Sequence, residues 1–478
     1  MRRRQTWTYL ACSFGMGVFS AFNNYTLTLW LSTFTSSYLL LGLLGNTRSF
    51  EGTLVSPVVG AWSDHLWLGR LGRRRPFILA GGLVSALLLA LTPAVAAWRP
   101  PALLGFLAAG KPGLVPAVIA IFLFTLSFNA MGDIHEALMV DKTSTGERNR
   151  LSALRVVVGM AGQVLVLVFG FLFWKNAVPA WAFAFTGLVI AAGTLWTVLG
   201  VPEAPSLALP HSDGRGGSKG RVGTNSRQIA SRRDDKLVAQ PKRKESLPQR
   251  VGGGAGVGAA LRFFRQYRGA AIFCAVAFAY WTGVNAVLPL ISIYTKDILH
   301  ASTGEAQLLP ALLLLSTTLL ALPMARLGDR LGKRRVMAGG YAIVIVAGLL
   351  VLVITTKQQG AAVFLLAGVG NAASQVLTVP LLADLVPRRA IGRATGMLAA
   401  SGSVAAPLAS LAGGHLADVF GPRAIFALMA VCVACAIALL ACVPAGQPAL
   451  TPVPSPNPGR GELSPGVRGL KTNAAMDR

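Results

Sequence analysis

Charge is what this sequence has least of. Only 13% of its 478 residues are Asp, Glu, Lys or Arg, and acids are the scarcer sign, 18 against 44 basic residues. Water-soluble domains carry roughly a quarter charged residues. With a mean hydropathy of +0.58, the composition excludes a soluble globular protein. Cysteine is scarce too. All five (Cys12, Cys274, Cys432, Cys435 and Cys442) fall in apolar stretches. Cys432 and Cys435 have metal-like spacing but no second ligand pair, so they read as packing residues and no metal site is expected. Catalytic signatures are missing as well: no GxxxxGK[ST], GxSxG or HExxH occurs. That argues against an ATP-driven pump or an intramembrane hydrolase, and neither an enzyme nor a cofactor is expected.

What the chain has instead is long apolar runs, about 20 residues each, enough to cross roughly 30 Å of hydrocarbon as helix. The start, "MRRRQTWTYLACSFGMGVF", looks like a secretion signal, yet the run continues through Asn23 and Asn24 to Trp30 with no small-residue cleavage site. It therefore reads as the first span. Spans are expected at about 8–34, 40–62, 76–98, 114–139, 152–174 and 179–200, then 269–294, 307–325, 336–356, 361–386, 394–416 and 424–443. The expected class is an all-α membrane protein with twelve transmembrane helices. Its organisation is a six-helix bundle (1–202), a linker (203–268), a second six-helix bundle (269–444) and a tail (445–478).

The net charge of +26 has to be reconciled with a membrane. With the N-terminus inside, the outer loops hold only Arg99, Lys111, Lys175, Lys296, Lys357 and Arg423, and the spans hold Arg48 and Arg155. The remaining 36 of 44 basic residues fall on the inner side, the bias that orients membrane proteins. Both termini are expected in the cytoplasm, with the chain in a bacterial inner membrane. The basic loops have no interleaved aromatics, so nucleic acid is not an expected partner. The linker holds "SRRDDKLVAQPKRKESLPQR" between Gly-rich stretches and the tail holds "PVPSPNPGRGELSPG"; neither can bury a core, and both read as disordered.

The two halves repeat. "GAWSDHLWLGRLGRRRPF" follows the second span and "ARLGDRLGKRRVM" the eighth, with Asp64 and Asp329 in matching places before Gly and three basic residues. The fourth and tenth spans end alike, Asp141 nine residues before Arg150 and Asp384 nine before Arg393. Duplicated six-helix halves are a transporter architecture, with substrate at the repeat interface. Asp64, Arg73, Arg74, Arg75, Asp329, Arg330, Arg334, Arg335, Asp384 and Arg393 are the gating candidates. The inner carboxylates can bond helix termini and arginines of the facing half, while the arginines alone could serve only to fix topology.

The acid, Gly and basic loop in both halves resembles the loop signature of the major facilitator superfamily, which implies the major facilitator fold. Over about residues 40–170, the SDxxxxxxLGRRRPFI loop and "EALMVDKTSTGERNRLSALRVVVGMAGQVL" resemble the sucrose/proton symporter branch, among the glycoside–pentoside–hexuronide:cation symporter relatives. By that likeness Asp141 corresponds to the proton-linked acid and Arg150 to the sugar-binding arginine. The seventh span departs: in "FAYWTGVNAVLP", Tyr280, Val284 and Asn285 stand where plant sucrose carriers have charged residues. A sugar or another polar solute is expected rather than sucrose itself.

Embedded polar residues supply the remaining candidates. Arg48 and Glu51 share a face of span 2, and Asn129, Asp133 and Glu136 one of span 4 with His135 beside it. Counting about 1.5 Å per residue from the inner ends puts Glu51 and Asp133 level. Glu51, Asp133, Glu136 and Asp141 are the proton-coupling candidates; the alternative for each embedded acid is a static ion pair, favoured for Glu136 with Arg155. His135 reads as a hydrogen-bonding partner. The second half is nearly neutral, with Asn371, Gln375 and Thr378 in one stripe of span 10 and Trp281 with Asn285 on span 7. Asn371, Gln375, Trp281 and Asn285, with Asn23, Asn24, Gln163 and Arg150, are the substrate-binding candidates, since amides and aromatic faces suit hydroxyl-rich rings. The expected function is proton-coupled symport of a sugar or glycoside by a monomer in the lipid bilayer. A proton-coupled exporter of amphiphilic molecules is the alternative, and a non-transporting membrane sensor the third reading.

Overall fold

The structure, a computed structural model, describes residues 3–47, 51, 59, 62–63, 68, 71–98, 113–143, 145–202, 257–387 and 390–444. Asp64 and Arg48, and the main part of the linker and all of the tail, lie outside them. Among the described residues every regular element is a helix. The first half holds α1 (Arg3–Ala21), a π-turn (Phe22–Thr26), α2 (Leu27–Leu31), α3 (Tyr38–Gly45), α4 (Arg75–Ala97), α5 (Leu114–Lys142), α6 (Thr145–Phe173) and α7 (Ala180–Gly200). After the linker come α8 (Val257–Gln266), α9 (Arg268–Val287), a 3₁₀ turn (Leu288–Leu290), α10 (Ile291–Ile298), α11 (Glu305–Leu331), α12 (Lys333–Val351), α13 (Lys357–Asp384), α14 (Ile391–Phe420) and α15 (Ala424–Ala441). Ten of the described helices are long and apolar enough to cross a membrane.

Three boundaries differ from the sequence reading. The first span is not one regular helix. A π-turn interrupts it at "FNNYT", where one extra residue enters the turn and rotates the helix beyond it. The second span is broken near its start, where Asn46 leaves helical geometry at the C-cap of Tyr38–Gly45; most of the span beyond Thr47 lies outside the described residues. The linker, read as unstructured to 268, ends in helix α8, whose apolar side buries Phe263 while Arg262 and Arg265 stay exposed.

In the first half α1 packs on α6 and α7, and α4 on α5 and α7. In the second, α11 packs on α13, α9 on α14 and α15, and α12 on α13 and α15. Close approach rests on small residues, as is usual where lipid removes the hydrophobic drive between helices. A side-chain carbon at Gly17 of α1 would overlap the Gly159 carbonyl of α6. The halves meet along two seams, α3 with α14 and α6 with α11.

Candidate functional site

Between the halves lies a cavity of about 290 Å³. The π-turn directs Asn24 and Tyr25 into it, and α6 brings Gln163. From the second half, α9 contributes Tyr280 and Trp281, and α13 contributes Asn371 and Gln375. The Asn371–Gln375 spacing, four residues on an unbroken helix, keeps both amides on one face. The Tyr280 hydroxyl donates to Asn371 Oδ1 at 2.9 Å, and Asn371 Nδ2 donates to Thr317 Oγ1 at 3.1 Å. Tyr280 stacks on Tyr341 with centroids 4.6 Å apart. These contacts fix the amide and ring orientations before any ligand arrives. None of the lining side chains is charged, so the walls offer hydrogen bonds and aromatic surface but no ion pair.

Five sequence-predicted binding residues therefore share this cavity: Asn24, Gln163, Trp281, Asn371 and Gln375. Three do not join them. Asn23 is buried and donates through Nδ2 to the Gly45 carbonyl at 3.3 Å and to Asn24 Oδ1 at 3.4 Å, outside the cavity lining. Asn285 folds its amide back onto the Trp281 carbonyl at 2.8 Å. Arg150 starts α6 near the other end of the bundle, and its side chain lies outside the described residues. Two polar lining residues escaped the sequence reading, Ser20 and Tyr25; both sit in the first span, where the shifted register hides the face they share with Asn24.

The embedded acids are dispersed. Glu51 is buried and accepts from Thr125 Oγ1 at 2.7 Å through Oε1, while Oε2 has no hydrogen-bond partner. Thr125 precedes Asp133 by eight residues on α5, about 12 Å of helix. Glu51 and Asp133 are therefore not level, contrary to the count from the inner ends of the spans. Asp133 is half-buried and Glu136 exposed; Glu136 pairs with Arg155. His135 is buried, stacks on Tyr9 at 4.0 Å, and holds Nε2 3.2 Å from the Tyr9 carbonyl.

The repeated loop motifs lock each half internally. Arg73 and Arg74 bond Asp141 Oδ2 at 2.8 and 3.1 Å, and Arg74 donates to Ser63 Oγ at 2.5 Å. At the matching place in the second half, Lys333 meets Asp384 at 2.7 Å. Arg334 donates to the Val443 carbonyl at 2.6 Å and to that of Ala441, capping α15, whereas Asp329, Arg330 and Arg335 are exposed. Arg75 is buried at the start of α4, and Arg393 lies 5.1 Å over the Phe263 ring of α8. Lys333 went unnamed in the sequence, although it occupies the first position of the basic triplet.

The contacts that join the halves lie at the opposite end. Asp418, on the last turn of α14, accepts from Tyr38 N (2.6 Å), Leu39 N (3.1 Å) and Ser37 Oγ (2.9 Å) at the start of α3. One and two turns along α14, Gly414 packs directly on Leu39, and Ser410 Oγ accepts from Asn46 Nδ2 at 2.6 Å. Tyr38 Oη donates to Asp297 at 3.0 Å, and Thr303 Oγ1 to the Asn176 carbonyl at 2.7 Å. Deeper in, Thr26 donates to Gln307 at 3.2 Å. Asp418 gave no signal in the sequence, where an acid ending a helix reads as a loop charge.

Comparison with known proteins matches this architecture. The family described as MFS/sugar transport protein matches residues 9–239, and that described as Major Facilitator Superfamily matches residues 272–476. Two uncharacterized MFS-type transporters of Mycobacterium tuberculosis (strains CDC 1551 / Oshkosh and ATCC 25618 / H37Rv) are each 31% identical over 175 residues, 37% of this chain. The match spans only 25% of the length of those relatives. Among solved structures, a bacterial homolog of the human lysosomal transporter Spinster, inward-facing and unoccupied, has a TM-score of 0.62 at 14% identity, covering 93% of this chain and 97% of that one. A D-xylose-proton symporter has a TM-score of 0.59 at 15% identity, with 91% and 95% covered. The nucleoside transporter NupG has a TM-score of 0.59 at 12% identity, with 93% and 98% covered. The two matched halves and the shared fold agree: the chain is a multi-pass membrane protein of the major facilitator superfamily.

Proposed function

We propose that the protein carries a neutral, hydroxyl-bearing solute, a sugar or glycoside, across the cell membrane by proton-coupled alternating access. The observation that carries this reading is the uncharged cavity ringed by Asn24, Gln163, Asn371, Gln375, Tyr280 and Trp281. Amides both donate and accept, and aromatic faces cover sugar C–H surfaces. The match of the first half to the MFS/sugar transport family and the likeness to a D-xylose-proton symporter support the same substrate class. On this reading the Asp418 end faces outward, because Arg73–Arg75, Lys142, Lys333–Arg335 and Arg393 gather at the other end. The halves are then sealed outside, the arrangement of an inward-facing state.

Glu51 is the acid best suited to carry the proton. An ionised carboxylate with one unpartnered oxygen in apolar surroundings is costly, so proton uptake and release there would couple to motion of the helices that bury it. The test uses purified protein in proteoliposomes with an imposed pH gradient and labelled pentoses, hexoses and glycosides. Accumulation that collapses with a protonophore is expected. Transport of lipophilic cations without any sugar uptake would overturn the reading in favour of an exporter.

A further inference from the structure

The cavity is not polar throughout, and its apolar part has a definite place. Along α13, Asn371 and Gln375 lie toward the Asp384 end, while Val363, Phe364 and Ala367 lie toward the Thr356 end. Eight residues separate Asn371 from Val363, about 12 Å. On α9 the order is the same in space, with Tyr280 and Trp281 at the polar level and Val284 and Val287 beyond. The remaining walls of this extension come from α10, α11, α12 and α15, among them Ile291, Leu314, Val351, Phe426 and Met429.

These helices all belong to the second bundle. The extension therefore runs into one half rather than along the seam between the halves, and it cannot be the path by which solute crosses. Its far end is closed. Tyr294 Oη donates to the Val351 carbonyl at 3.1 Å, its ring meets Phe426 at 4.9 Å, and Phe426 meets Phe364 at 6.3 Å. The Tyr294 hydroxyl is thus already satisfied and offers nothing to a polar guest. Gly348 keeps the space open, because a side-chain carbon there would lie 2.6 Å from Met429 Cε.

From this we infer that the transported solute has two parts, a neutral hydroxyl-rich head held by Tyr280, Asn371 and Gln163 and an apolar group, such as a short alkyl or aryl aglycone, seated in the blind arm of the second bundle. The inference rests on the transport reading above and refines its substrate class. A free sugar leaves the arm unfilled, whereas an alkyl or aryl glycoside occupies both ends. Because the arm lies within one rigid bundle, its occupant stays bound while the halves rock, and only the head exchanges partners across the seam.

The experiment measures binding of methyl, ethyl, propyl and butyl glucosides to the full-length protein in lipid nanodiscs, beside alkyl glycerol ethers of the same chain lengths. Each methylene that enters the arm should raise affinity about fourfold, up to a plateau where the arm is full. Ala367→Phe should flatten the series by filling the arm. Val363→Ala should move the plateau to a longer chain and serves if the larger substitution does not fold. A flat series with the methyl glucoside bound would overturn the arm while leaving the sugar reading in place. A rising series for the glycerol ethers equal to that for the glucosides would keep the arm and overturn the sugar head. A rise that neither substitution alters would place the effect in the lipid and overturn the inference, as would absence of binding by every compound.

Discussion

Removing the Asp418 carboxylate should unlatch the sealed end of the transporter by a calculable amount. Asp418 accepts from two backbone amides and one hydroxyl at the start of α3, so it caps a helix that belongs to the other half. Helix α3 keeps its own cap, since Ser37 Oγ accepts from Leu40 N at 3.3 Å. The loss in Asp418→Ala therefore falls on the contact between halves. A lost cap costs about 0.5–2 kcal/mol, and a charge at a helix N-terminus adds about 0.3–1 kcal/mol. The site is exposed, which holds the sum to about 1–2 kcal/mol, a shift in the sealed-to-open ratio of about 5- to 30-fold. Asn at this position keeps an acceptor without the charge, so Asp418→Asn should give the smaller shift. Nitroxides at Trp181→Cys and Val353→Cys, one on each half at the Asp418 end and both exposed, report the separation by double electron–electron resonance in a cysteine-free background. The alanine variant should populate a longer distance. An unchanged distribution, or a shift toward the shorter one, refutes the capping argument.

Glu51→Gln should abolish pH-driven accumulation while exchange between equal substrate pools continues; undiminished accumulation moves the assignment to Asp133, tested by Asp133→Asn in the same vesicles, and then to Asp141. Lys333→Ala and Asp384→Ala should each lower the thermal midpoint slightly, and the double variant should add little, because the half-exposed pair is worth about 0.2–1 kcal/mol; full additivity refutes the pairing. Gly17→Ala should destabilise by more than the usual ceiling of about 3 kcal/mol for a point substitution, since its methyl would overlap the Gly159 carbonyl, and a folded protein of unchanged thermal midpoint would show that α1 and α6 can separate at no cost.

The sequence was most readable where the helix is regular. The Asn371–Gln375 stripe could be placed on one wall because α13 runs without a break from Lys357 to Asp384, and the apolar runs marked out the long membrane-crossing helices without any tertiary knowledge. Reading failed where the register changes. Asn23 and Asn24 are adjacent and chemically identical, yet the π-turn sends one to the Gly45 carbonyl and the other to the cavity. Glu51 was placed by counting residues from the inner end of its span, and it emerged beside Thr125 instead of level with Asp133. The latch was invisible for a different reason. Asp418 acts on backbone amides of α3, and main-chain donors leave no mark in a residue pattern.

The sealed end holds costs as well as contacts. Asn23 Oδ1, Gln307 Nε2, Trp174 Nε1 and Ser292 Oγ are buried without a hydrogen-bond partner, and they sit on the π-turn, on α11, just past the end of α6 and on α10, the elements that meet between the halves. Each such group carries a penalty of about 1–3 kcal/mol, which is relieved when the halves part and water reaches it. Asp418, Gly414 and Ser410 on one face of α14 offset that penalty with cap, close contact and hydrogen bond. Opposed terms of similar size leave the two states near balance, the condition under which a bound solute can move the equilibrium through its differential affinity alone. On the proposed alternating-access reading, the same balance would let a surface carboxylate contributing only about 1–2 kcal/mol set which side is closed.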